Sequence, residues 1–225
     1  ALPICDIWQK NPQRLTPEEQ TQALLSTQLV LLHPVSAIMP QIQGDLGSFD
    51  LPQPITTHCL QWLASNNYAV KSVASLLAQI NQLNPQQSMT VLELIPLLAA
   101  LTAIGAIHPA NAQISEELTQ PSQRLNRQLM QHAWQDHRIA YLASPVAGCG
   151  VQVSRLQQLG LLAYQATQVV DAECWAHWLW QRKDRLVGIF PDEQSEPEQL
   201  TWLTSQFAYF VEHRFKLLQA LGVIY

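Results

Sequence analysis

Residues 89–107 read MTVLELIPLLAALTAIGAI, and the fold class turns on whether this run crosses a membrane or fills a core. At 19 residues it is close to the minimum length of a spanning helix. It contains Glu93 and Pro96, Gly105 closes it, and no Lys or Arg flanks either end to anchor it at a lipid interface. It therefore reads as a buried core helix. Thr90-Val91-Leu92-Glu93 is a capping box, in which the Thr hydroxyl and the Glu carboxylate satisfy free N–H groups at the helix start. Pro96 lacks an N–H and should kink the helix or displace its start. Gly105 stands where a C-terminal cap is expected, followed by a short extended piece over 106–108.

Upstream of this run, 57–65 reads as a helix ended by Asn66-Asn67. Residues 70–83 repeat apolar side chains at 73, 76, 77 and 80, the helical spacing, before a turn at Asn84-Pro85. Three helices and a strand make 51–110 a helix-turn-helix or winged-helix-like unit. Residues 1–50 form an N-terminal helical section. Its strongest signal is Thr16-Pro17-Glu18-Glu19, a helix start with Pro at the first position. Residues 29–32 are apolar and read as either helical or extended, His33-Pro34 breaks them, and 44–50 is loop. Residues 111–225 read as an all-helical C-terminal domain. Its helices lie over 115–137, 153–168, from an Asp171 cap to about 186, and over 198–221, with loops at 140–151 and 188–197. The expected fold is mostly α: a three-helix winged-helix-like unit followed by an all-helical C-terminal domain.

Of the 225 residues, 48% are hydrophobic and 13% charged. Soluble domains average about one quarter charged. The 29 charged side chains are matched by 29 glutamines, scattered and never more than two in a row. Disorder is excluded, because it pairs low hydrophobicity with high net charge. The net charge is −5, and Lys71 is the sole cation between Arg14 and Arg124. Phosphate contacts need clustered Lys and Arg, so nucleic acid is not an expected partner, nor is a membrane. Cys5, Cys59, Cys149 and Cys174 form no CxxC pair and read as a reduced set in a cytoplasmic protein. The first residues do not read as a basic-then-apolar signal peptide. The chain starts at Ala1 rather than Met and reads as a piece of a longer protein.

Nucleotide-pocket motifs, GxGxxG after a strand or GxxxxGK[ST], do not occur, so no cofactor and no Rossmann-type catalytic core are expected in this chain. Asp171, Cys174 and His177 are zinc-binding types at i, i+3 and i+6. That spacing covers less than one helix face, and a helix cap, a core thiol and a boundary histidine account for them. Cys149, between Gly148 and Gly150, is a nucleophile only if a base activates it, and nothing local does. Trp175, Trp178 and Trp180 resemble an aromatic cage, but core packing is their ordinary role. Neither a catalytic nor a metal site is expected. A DNA-reading helix needs Arg, Lys, Asn or Gln on its exposed side. Between Thr90 and Gly105 only Glu93 and Thr102 are clearly polar.

One segment carries a pattern. It runs Asn126-Arg127, then Leu142-Ala143-Ser144-Pro145-Val146, Gly148, Gly150-Val151, Val153-Ser154-Arg155, Gln158-Leu159 and Leu161-Leu162-Ala163. This resembles the region following the catalytic core in bacterial class I SAM-dependent methyltransferases with a methyltransferase regulatory domain, a group that includes protein-lysine methyltransferases. Residues 51–110 are similar to the regulatory domain itself. The similarity covers roughly residues 45–222. Its most specific part is the LASPVxGxGVxVSR run. The chain departs from the family in lacking the methyl-donor domain and in having Gly160 where many members carry an aromatic residue nearby. The resemblance implies a non-catalytic region that holds a protein substrate, dimerises or regulates the methyl-transfer core. S-adenosylmethionine would be bound by the parent enzyme and not here. It also implies interdomain or substrate contacts from Asn126, Arg127, Ser144, Pro145, Gly148, Gly150 and Arg155. Surface solubility for Arg127 and an internal bond from Arg155 to backbone carbonyls are the structural alternatives. The alternative function is a winged-helix transcriptional regulator.

Overall fold

The computed structural model describes residues 14–44, 47–83, 85–86, 88–111, 113–186, 188–190 and 195–224. Cys5, the turn residue Asn84 and positions 191–194 of the acidic loop lie outside them. The protein is mostly α.

The N-terminal section opens with α1 (Pro17–Ser26), started by the Thr16–Glu19 capping box: Thr16 N–H donates to Glu19 Oε2 at 2.7 Å and Glu19 N–H to Thr16 Oγ1 at 3.2 Å. It continues into strand β1 (Gln28–Leu31), whose Leu29, Val30 and Leu31 are all buried. A hairpin follows, β2 (Gln41–Gly44) with β3 (Gly47–Asp50), where the sequence reads as loop. Beyond it come α2 (Ile55–Tyr68), β4 (Lys71–Ser72), α3 (Val73–Leu83), α4 (Val91–Ala103) and β5 (Ile107–Ala110). β1 is the central strand of an antiparallel sheet, between β4 and β5, with Leu31 opposite Ile107 and Gln28 opposite Ala110. A central strand covered on both faces explains an uninterrupted apolar run. Pro109 is tolerated because β5 is an edge strand.

The run at 89–107 is a core helix and its flanking strand. Leu94 and Leu101 are fully buried in α4, and Thr90 and Glu93 close the capping box. The helix starts where the box places it and continues through Pro96. Gly105, at φ +71°, ends it. Gly105 N–H donates to Thr102 O (3.0 Å) and Ala106 N–H to Leu101 O (2.9 Å), which is a Schellman closure. Among the described residues no helix is long and apolar enough to cross a membrane. Asn66 and Asn67, both at φ 54°, turn the end of α2 left-handed. Buried Lys71 caps that end: its Nζ donates to Ser65 O at 2.7 Å and Leu63 O at 3.2 Å. A cation there opposes the negative end of the helix dipole, while burial lowers its pKa.

The C-terminal region contains α5 (Glu116–Gln131), β6 (Tyr141–Ser144), β7 (Cys149–Gln152), α6 (Arg155–Thr167), α7 (Ala172–Trp180), α8 (Glu196–Phe210) and α9 (Lys216–Ala220). It is not all-helical: 140–151, which reads as loop, contains the β6–β7 hairpin, with Leu142 opposite Val151. The expected helix over 198–221 is interrupted by one π turn, Val211–Phe215. In a regular helix, at roughly 100° per residue, Phe210 and Phe215 would point about 140° apart. The wider turn brings both onto the ring of Trp175, at 6.0 and 5.5 Å. α9 also packs on α2, joining the two regions.

At the crossing of α6 with α8 a side chain on Gly160 has no room. A Cβ there would stand 2.9 Å from Phe207 Cε1 and 3.4 Å from Phe210 Cδ1. Gly160→Leu is expected to destabilise the protein by about 2–3 kcal/mol, because overpacking outweighs the roughly 1 kcal/mol helix-propensity gain. A urea melt reads it as a lower midpoint with an unchanged slope.

Candidate functional site

Most of the Leu142–Arg155 pattern builds a clamp. Asn126, 1% exposed on α5, donates through Nδ2 to Ala143 O (2.8 Å) and Val223 O (3.1 Å) and accepts from Ala143 N–H (2.6 Å). Ser144 Oγ donates to Leu221 O (2.6 Å) and accepts from Ala147 N–H (3.0 Å). The Pro145 carbonyl accepts from Asn111 Nδ2 at 2.6 Å. Gly148, at φ +65°, closes the turn by donating to Ser144 O at 2.9 Å. At Gly150 a Cβ would press on Tyr141 Cβ at 3.3 Å. Ser144, Pro145, Gly148 and Gly150 thus serve the hairpin and its attachment to the C-terminal helix. Gly222 ends that helix at φ +67°.

Behind this clamp lies a cleft of about 550 Å³. Arg127, exposed, stands on its α5 wall with Gln123 and Gln131. Leu162, Val223 and Ile224 supply apolar surface. On the far side Arg182 stacks on Trp178 at 4.2 Å and Arg185 on Trp134 at 4.4 Å, and the two indoles lie 5.7 Å apart. The result is a ladder: Arg182, Trp178, Trp134, Arg185. No carboxylate lines the cleft among the described residues. Arg155 acts at one remove, donating Nε to Ala133 O (2.7 Å) and Nη2 to Trp134 O (3.2 Å), so it holds the turn that aims Trp134. Burial lowers its pKa, and Asp136 partly opposes that shift.

Of the residues singled out in sequence, the structure brings Asn126 and Arg127 to the cleft and places Arg155 behind it. Arg182, Arg185 and Trp134 carry no motif. A legible signal was the i, i+4 spacing of Trp178 and Arg182, which lets a guanidinium cover an indole on one helix face. The three tryptophans of α7 part company. Trp175 is core, Trp178 is cleft wall, and Trp180 packs on Phe190 with Lys183 Nζ over its ring at 4.8 Å.

Asp171 uses its carboxylate as the α7 cap, accepting from Cys174 N–H at 2.7 Å. His177 Nδ1 contacts Glu173 O at 2.9 Å. Among the described residues no three His, Cys, Asp or Glu side chains converge to hold a metal. Cys149 is half-buried, and burial raises its pKa, which works against a nucleophile. Burial pushes the Cys59 thiol up to about 12. At pH 8 its thiolate fraction is then on the order of 1,000-fold below that of a free thiol. Iodoacetamide labelling followed by peptide mass mapping should leave Cys59 unmodified in the folded protein and modify it in guanidinium. Labelling of Cys59 at the same rate in both states would contradict its burial.

The N-terminal half is poor in charge. Between residues 20 and 115 the charged side chains are Asp45, Asp50, Lys71 and Glu93. Lys71 is buried and Glu93 is held in its capping box. This region exposes Met39 (79%), Phe49 (65%) and Leu92 (68%).

No family model and no solved structure matches the chain. A relative in Synechocystis sp., named "Uncharacterized protein sll1526", is 26% identical over 219 residues, covering 97% of this chain and 42% of that protein. The chain thus spans less than half the length of the curated relative it matches.

Proposed function

We propose that this chain is a non-catalytic region of a SAM-dependent protein methyltransferase, acting through contact with the methyl-donor domain or the protein substrate. The observation that carries this reading is the scarcity of charge between residues 20 and 115, a stretch that also exposes Met39, Phe49 and Leu92. A region this poor in charge meets another protein without the cost of desolvating ions. The LASPVxGxGVxVSR resemblance supplies the class of partner. The greater length of the Synechocystis relative leaves room there for a methyl-donor domain. The three helices of 51–110 support a winged-helix-like reading, used for packing rather than for DNA, with β1 from residues 28–31 inserted between its two strands. Pairing of two copies through the same face belongs to this reading, as does a cytoplasmic location.

The test is calorimetric titration of S-adenosylmethionine into this chain and into the full-length Synechocystis relative. The expected result is saturable binding to the relative and none to the chain. Absence of binding to the relative would overturn the methyltransferase assignment, and binding to the chain would overturn its non-catalytic role.

A further inference from the structure

We infer that the arginine–tryptophan cleft is a binding site for a small organic polyanion carrying two or more carboxylate or phosphate groups. This goes beyond the contact role proposed above and does not depend on it. The protein has 12 cationic and 17 acidic side chains. Arg127, Arg182 and Arg185 all face one cleft that has no lining acid among the described residues. Three cations with no acid among the described lining residues repel one another, so the arrangement is relieved when an anion enters.

The geometry is prepared for that event. Stacking on Trp178 and Trp134 holds the planes of Arg182 and Arg185 in place. Arg182 is further fixed by Nη1 donation to Trp178 O at 2.7 Å. A guanidinium held flat offers its N–H edge to carboxylate or phosphate oxygens with little further loss of rotamer freedom. Arg127 lines the same cleft from α5 while Arg182 and Arg185 follow α7, so a ligand that satisfies all three carries more than one anionic group. Gln123, Gln131 and Gln165 add neutral donors and acceptors between them. The volume, about 550 Å³, lies within the range of metabolite sites, roughly 300–1,000 Å³. Because the whole chain is negative, attraction is local and should weaken with salt.

Citrate and a nucleoside diphosphate serve as separate probes, each titrated into the full chain at low ionic strength. Binding is followed by calorimetry and by tryptophan fluorescence, since Trp134 and Trp178 form the wall. At least one probe should saturate with Kd below about 1 mM. Binding of citrate alone assigns carboxylates, of the diphosphate alone phosphates, and of both the shared polyanion chemistry. Arg182→Gln with Arg185→Gln should weaken binding at least about tenfold, a loss of roughly 1.4 kcal/mol. Arg127→Gln, on an exposed position, provides an independent variant with an intact melting curve. Three results would overturn the inference: neither probe saturating by about 10 mM, acetate binding as tightly as citrate, or both sets of variants binding like the parent.

Discussion

Replacing Trp175 by Ala should lower the stability of the protein by about 3–5 kcal/mol, the range for truncating a fully buried large aromatic. Trp175 is 0% exposed. Its ring is surrounded by Tyr164 (6.1 Å), Phe207 (6.0 Å), Phe210 (6.0 Å) and Phe215 (5.5 Å), contributed by α6, α8 and the π turn. Its indole N–H donates to Val169 O at 2.6 Å, which fixes the ring within the cluster. Removing the ring opens a cavity that three elements would have to collapse together to fill, and the π turn exists to bring two of those partners in. Domains are stable by about 5–15 kcal/mol, so the loss is a large share of the total. Trp175→Phe separates the contributions. It keeps most of the aromatic packing and frees the carbonyl of Val169, itself an exposed residue, which water can solvate. Its cost should be about half that of Ala or less. Guanidinium melts read both values. Equal costs for the two variants would show that the hydrogen bond, and not the packing, carries the effect.

Asn126→Ala should cost upwards of about 3 kcal/mol, although it removes only one small side chain. Three backbone groups lose their partner: the N–H and carbonyl of Ala143 and the carbonyl of Val223. Each buried polar group left unpaired costs about 1–3 kcal/mol. Asn126→Asp should do no better, since a carboxylate would face two carbonyl oxygens. Arg127→Ala, one residue along on the exposed side of α5, should change stability by no more than about 0.5 kcal/mol. The contrast between neighbours is the diagnostic. Hydrogen exchange should report the Asn126 defect first at Ala143 and around Val223, where the cleft meets the hairpin.

What was legible in sequence was local chemistry. Capping boxes at Thr16 and Thr90, the Asp171 cap and the Gly105 stop depend on groups within a few residues of one another, and each element begins or ends where those groups put it. The apolar run of 89–107 was legible for the same reason, being capped at both ends and unflanked by cations. The two hairpins were not. β6 and β7 contain Ala143, Gly150 and a turn at 145–148, with little β propensity. They pair because Asn126 and Ser144 hold them from α5 and the C-terminal helix, partners distant in sequence. β2 and β3 lie on the surface, so no alternation of buried and exposed residues marks β3. The cleft was half legible. Asn126 and Arg127 stood out by motif, but Arg185 meets Trp134 only through the packing of α5, α6 and α7. Sequence spacing carries no trace of a contact made that way.

The resemblance and the packing divide the Leu142–Arg155 pattern between them in a consistent manner. Its glycines and Ser144 secure the hairpin, while Arg155 secures Trp134. A pattern of this kind specifies a platform.

The most direct measurement is calorimetric titration of this chain against the part of the Synechocystis relative that lies outside the 219 matched residues, run with the unmodified chain and with Met39→Asp plus Phe49→Asp. The expected result is a saturable complex, weakened at least about tenfold, or roughly 1.4 kcal/mol, by the double substitution. No complex at about 100 μM protein, or a complex indifferent to both aspartates, would contradict it.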